Sequence, residues 1–160
     1  MKTVPVFLIA SLLLITVFSC SKTNTTPAPS TTSWTINGTK YTSNSVDRST
    51  AGGNFQLEVN ADNYIEIYFS TVPAASGSFK VVSMDKALSN TLASNEIAVG
   101  FGVGSTDSYI SAGTDNVSAT VTVGSNGKLK VVIPSFAVEH INSTSGPVGV
   151  TTASATVVEQ

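Results

Sequence analysis

Residues 33–160 predict an all-β domain, a single antiparallel β-sandwich of about nine or ten short strands. Three observations predict it. Apolar residues alternate with polar ones at period two through most of the stretch. Val, Ile, Thr and Ser dominate its composition, and Gly, Asn and Asp punctuate it where tight turns would fall. An up-and-down β-barrel is the alternative architecture, since the same short strands and turns would build one. A chain of 160 residues has room for one such domain rather than two.

The turns fix registers. In "WTINGTKY", Asn37-Gly38 sits between alternating residues, a hairpin signal because both central positions of a type I′ turn need positive φ. A two-residue loop pairs Ile36 with Thr39 and Trp34 with Tyr41, an aromatic cross-strand pair. In "VSATVTVGSNGKLKVVI", apolar residues at 117, 119, 121 and 123 must face those at 129, 131 and 133. That requires an odd loop, supplied by Ser125-Asn126-Gly127, and sets Val123 opposite Leu129 and Val121 opposite Val131.

The hairpin in "NFQLEVNADNYIEIYFS" carries a conflict. Phe55, Leu57 and Val59 form one apolar face; Ile65, Ile67 and Phe69 form its match. A three-residue loop, Ala61-Asp62-Asn63, aligns Leu57 with Ile67, and it also sets Glu58 opposite Glu66 and Gln56 opposite Tyr68. Like charges facing across a ladder destabilise it. Either a cation relieves them, or a five-residue loop shifts the register and pairs Glu58 with Tyr68.

Further strands are expected at 78–82, 96–103, 108–111, 135–141 and 148–158. Residues 83–95, "SMDKALSNTLASN", lack alternation; Met84, Ala87, Leu88 and Leu92 are spaced for a short amphipathic helical turn, with a loop as the alternative. Pro134 has no N–H to give a ladder and implies a bulge or edge between Ile133 and Phe136.

The N-terminus is a separate matter. Val4 to Phe18 is an uncharged apolar run behind Lys2, too short to span a bilayer and of the length of a secretory signal. It ends at Ser19 and Cys20, the chain's single cysteine, so no internal disulfide can form. Residues 21–32, "SKTNTTPAPSTT", hold no large apolar side chain and read as a disordered spacer, roughly 20 Å in root-mean-square span. Val17, Ser19 and Cys20 resemble a bacterial lipoprotein signal. The resemblance implies cleavage before Cys20, a diacylglyceryl thioether on its sulfur and an acyl chain on its new amino group. Several chains together give stable anchoring where one is marginal. The organisation expected is therefore a signal peptide at 1–19, a lipidated Cys20 with linker to residue 32, and the β domain at 33–160.

"WTINGTKYTS" followed by "SGSFKVV" also resembles the uncharacterised β-rich domains of small Bacteroidota outer-membrane lipoproteins. Ser21 is not the aspartate that retains enteric-type lipoproteins at the inner membrane, so the resemblance implies the outer membrane. "SKTNTT" lacks the acidic stretch of surface-exported members, which favours the periplasmic face over the cell surface, the alternative.

Candidate chemistry is sparse. Without Lys2, seven basic side chains stand against ten acidic ones, and no basic patch suggests nucleic acid. His140 is the single histidine, which excludes His-rich metal sites; no G-x-S-x-G elbow, P-loop or EF-hand loop occurs. No metal and no cofactor is expected, and His140 reads as a solvated or core-capping residue. Ala98, Gly100 and Gly102 share a strand face and leave a furrow that Tyr109 is expected to cover. Tyr64, Glu66 and Tyr68, with Gln56 and Glu58, form the polar face of the second hairpin. Rings stack on sugar faces and amides bind hydroxyls, so these five residues are a candidate saccharide platform. The reading is a lipid-anchored, non-catalytic binding or structural module with a glycan or an envelope protein as partner. Two alternatives stand beside it: a glycan hydrolase using Glu58 and Glu66, since a retaining enzyme wants carboxyls about 5–5.5 Å apart, and a pilus-type assembly subunit in which Arg48 marks a processing point. Against the hydrolase, the glutamate face reads as flat and solvated.

Overall fold

The computed structural model describes residues 31–160. The signal segment expected at 1–19, the lipid attachment expected at Cys20 and the expected linker as far as residue 30 lie outside the described residues. The linker's expected end is corrected: Thr32 already opens β1 (Thr32–Ile36) and is fully buried. Its Oγ1 accepts from the Val158 N–H at 2.9 Å and donates to the Val158 carbonyl at 3.2 Å. The hydroxyl thus extends the ladder beyond the first backbone pair.

β1 turns through Asn37-Gly38 into β2 (Thr39–Ser43). The two turn residues have φ of 47° and 80°, and the register pairs Trp34 with Tyr41 as a two-residue loop demands. The two rings stack with centroids 5.7 Å apart. A Cβ on Gly38 would meet nothing within 4 Å, so only the backbone resists a side chain there. Gly38→Val is expected to cost about 1–3 kcal/mol through forced positive φ, read as a lowered denaturant midpoint at unchanged slope.

β3 (Asp47–Ala51), β4 (Asn54–Glu58) and β5 (Asn63–Phe69) make a meander. β3 is polar and lacks apolar alternation, which is why the sequence pattern passes over it. Its signal is Gly52-Gly53, both at positive φ in a two-residue hairpin turn. Between β4 and β5 the three-residue loop is the one adopted: Leu57 faces Ile67, Gln56 faces Tyr68 and Glu58 faces Glu66.

β6 (Gly77–Val81) and β7 (Glu96–Val103) pair in parallel. Parallel neighbours need a crossover of about a dozen residues or more, and the segment without alternation provides it. It contains α1 (Met84–Leu88), whose N-cap Ser83 accepts the Asp85 N–H and whose exit passes through Asn90 at φ 53°. Met84, Ala87 and Leu92 are buried as the amphipathic spacing expects, but Leu88 is 74% exposed.

β8 (Asp107–Ser111), β9 (Ser118–Val123), β10 (Leu129–Asn142) and β11 (Gly146–Val158) complete the domain. Val123 faces Leu129 and Val121 faces Val131. β10 merges two expected strands. It pairs with β9 up to Val132 and with β8 from Val138 onward, and Pro134 lies between, at a register shift against β11. The proline is tolerated because β10 changes partner there, so no neighbour needs its missing N–H.

The fold is all-β, with eleven strands and one short helix among the described residues, the strands in the order β2-β1-β11-β10-β9-β6-β7-β5-β4-β3 with β8 off this path. β8 bridges β7 and β10, closing a ring through β10, β9, β6 and β7. Two features go beyond the expected pattern of short antiparallel strands: the parallel β6–β7 pair, and β10 and β11 at 14 and 13 residues. The main core inside gathers Phe69, Phe101 and Phe136 with Leu57, Ile67, Val121 and Val131. Arg48 of β3 bonds residues distant in the chain: both Glu159 carboxylate oxygens at 2.6 and 2.8 Å and the Gly127 carbonyl at 2.6 Å.

Candidate functional site

The polar faces of β5 and β7 are not flat. The crossover lays α1 over them, and a second apolar cluster forms there from Val82, Met84, Ala87, Leu92 and Ala98, with Tyr68 and Ile110 packed against it. This roof leaves a cleft of about 280 Å³. Its floor is Tyr64, Glu66 and Tyr68 of β5 with Gly100 of β7; its walls are Ser108 and Ile110 of β8 and Ile141 of β10; Met84 and Leu88 of α1 overhang it. The reading of an open, solvated face is thereby corrected, because it leaves out a helix contributed by the crossover.

The glycine furrow is real but is covered by other residues than expected. A Cβ on Gly102 would run into the Tyr64 ring, and one on Gly100 would lie 3.1 Å from the Met84 methyl. Tyr64 and Met84 therefore cover the furrow. Tyr109 instead stacks on His140, centroids 4.4 Å apart and planes 10° apart.

Of the five residues of the saccharide platform, three line the cleft and two do not. Tyr68 donates its phenol to Glu66 Oε2 at 2.9 Å. Burial pushes the Tyr68 phenol up, and the bond to Glu66 pushes it further, so it remains a neutral donor at ordinary pH. Gln56 is buried; its amide donates to Glu58 Oε2 at 3.3 Å and its carbonyl accepts from Ser49 Oγ at 3.3 Å. It is not free to bind a sugar hydroxyl. Glu58 stands across the ladder from Glu66, outside the cleft lining. Each glutamate thus takes a neutral donor from its own strand, and among the described residues neither has an ion pair. Lys86 of α1 is engaged elsewhere, bonding both Glu96 oxygens at 2.7 and 2.8 Å.

His140 bonds Asp107 at 2.7 Å, and Asn142 donates to the same oxygen at 3.0 Å. These bonds, Asn142 first and then His140, hold the Asp107 carboxyl below its ordinary value. Among the described residues no serine or threonine hydroxyl bonds the His140 ring. The pair ties β8 to β10 at the end of the ring, with Tyr109 stacked against it.

Met84, Leu88, Ser108, Ile110 and Ile141 are the lining residues that sequence reasoning misses. They come from three elements far apart in the chain. Their one signal is the break in alternation at 83–95, which marks a crossover and hence a covered sheet face. Comparison of the chain with protein families, with curated proteins and with solved structures gave no match.

Proposed function

We propose that the chain is a lipid-anchored envelope protein whose β domain is a non-catalytic binding module, its ligand seated in the cleft beneath α1. The observation that carries the reading is the composition of that cleft: two tyrosines, a phenylalanine, four aliphatic or thioether side chains, a serine and a single carboxylate. Apolar concavities with few convergent polar groups are the usual form of a small-ligand site. A hydrolase built on the facing glutamates would need both carboxyls at the substrate, and only Glu66 lines the cleft. Strand-exchange assembly finds little support, since the two free edges, β2 and β3, are five residues long and mostly polar.

The anchor rests on Val17, Ser19 and Cys20, and the outer membrane, periplasmic side, is the location proposed. Metabolic labelling with a palmitate analogue tests it. The wild-type chain is expected to carry label, and Cys20→Ala is expected to lose it and to accumulate as precursor or released protein. Label persisting on Cys20→Ala would overturn the anchor.

A further inference from the structure

We propose that the cleft beneath α1 is a seat for a small organic cation, an ammonium group carried on a compact apolar or aromatic body. The inference rests on the binding-module reading and adds the chemical class of the ligand.

Charge is the first argument. Glu66 reaches the cleft floor, and Glu58 faces it directly across the β4–β5 ladder. Opposed positions on an antiparallel pair place Cβ atoms about 4.5–5.5 Å apart. Neither carboxylate has a basic partner among the described residues, and no Lys, Arg or His lines the cleft. Among the described residues their side-chain donors are the neutral Gln56 amide and Tyr68 phenol. Two adjacent negative charges beside a low-dielectric wall focus a field that attracts a cation and repels an anion.

The lining is the second argument, and it selects among cations. Calcium takes about six to eight oxygen ligands, whereas among the described residues no three His, Cys, Asp or Glu side chains gather in one place. The walls are apolar instead: Met84, Leu88, Ile110 and Ile141 would cover hydrocarbon, and the rings of Tyr64 and Tyr68 border the cleft on either side of Glu66 in the β5 strand. Rings of this kind attract an ammonium group through their quadrupole. A free sugar is the poorer fit, because its many hydroxyls would meet one carboxylate, one serine and two phenols, one of them already given to Glu66, against walls that are otherwise apolar. The volume of about 280 Å³ equals the liquid share of roughly nine waters, enough for a single ring with a substituted amine.

Calorimetric titration of the full chain in detergent, with benzyltrimethylammonium, benzyl alcohol, benzoate and glucose as separate probes, tests the proposal. The expected result is saturable binding of the ammonium probe, at least about tenfold tighter than benzyl alcohol, with no saturation by benzoate or glucose. Glu66→Gln is expected to weaken the ammonium probe by roughly tenfold and to leave benzyl alcohol unchanged. Leu88→Lys, a change at an exposed rim position, is expected to abolish ammonium binding without disturbing the core. Ammonium affinity unchanged in both variants overturns the proposal, as does binding of benzoate or benzyl alcohol equal to that of the cation. Saturable binding of glucose in place of the cation overturns the ligand class while leaving the binding-module reading standing. Silence from all four probes overturns the cation seat, and palmitate labelling of the same protein then reports the anchor independently.

Discussion

Replacing Phe69 by alanine is expected to cost about 3–5 kcal/mol, the largest loss from any single change considered for this domain. Phe69 is 1% exposed, and its ring packs between Phe55 at 5.8 Å and Phe79 at 5.7 Å, the latter edge-on. The three rings belong to β4, β5 and β6, so truncation opens a void where the β3–β4–β5 meander meets the ring of strands. Neighbours pinned in ladders on both sides cannot collapse into that void, which places the cost toward the upper part of the range. Against a total stability of about 5–15 kcal/mol, the loss removes a large fraction. Equilibrium urea denaturation measures it as a fall in midpoint. A loss below about 1 kcal/mol would mean that β6 is not packed against β5 as described.

The second large effect is expected at Arg48, whose guanidinium joins β3 to the β9–β10 loop and to the segment that follows β11. Arg48→Ala removes the bonds to both Glu159 oxygens and to the Gly127 carbonyl. Glu159, with a side chain 11% exposed, would keep only the Leu129 N–H as a donor, at 2.9 Å. Leaving a charged group short of its partners costs about 1.5–3 kcal/mol, and the effect is reduced because Arg48 itself is 39% exposed. Acid dependence follows from the same contacts. Burial alone would raise the Glu159 carboxyl; the Arg48 bond, the Leu129 N–H and the charges of Arg48 and Lys128 outweigh it and hold it below its ordinary 4.5. A carboxyl that binds its proton less readily when folded adds stability above its unfolded value, and that stability is lost as pH falls through the folded one. The wild-type midpoint should therefore converge on that of Arg48→Ala as the pH falls below 4.5. A gap between the two proteins that stays constant from neutral pH down to acid would refute the clasp.

Much of the fold is legible because local turn chemistry and side-chain alternation agree. Asn37-Gly38 specifies its hairpin through positive φ, and Trp34 opposite Tyr41 follows from loop length alone. The apolar sets in β4 and β5 fix which face is buried, since a one-residue slip would turn Leu57 and Ile67 out of the core; they leave the three- and five-residue loops equal in that respect, and the shorter loop is adopted although it sets Glu58 opposite Glu66. Where alternation fails, so does the reading. β3 carries Asp, Arg, Ser and Thr and is held by its Gly-Gly turn and its pairing to β4. The cleft was the least legible part. It depends on α1 being carried over the sheet by a parallel crossover, and the need for a parallel pair between β6 and β7 is written in no single segment. Tyr64, Glu66 and Tyr68 could be read as one face; that Met84 and Leu88 hang above them could not.

The hydrogen bonds between Thr32 and Val158 make the domain's point of entry and its point of exit neighbours. Val158 pairs with Lys130 at one end of β10, and Ile141, which lines the cleft, lies near the other end. At the usual rise per residue that separates them by up to about 35 Å along the strand. On a Cys20 tether the domain would stand on the end where both chain termini emerge and hold its cleft outward, away from the headgroups. A reporter fused after Gln160 would sit at the end of the domain opposite the cleft and leave its mouth unobstructed. The same proximity suits a circular permutant: a short linker from residue 160 back to residue 31 would close the chain, and new termini could open at Gly38 with the ladders intact.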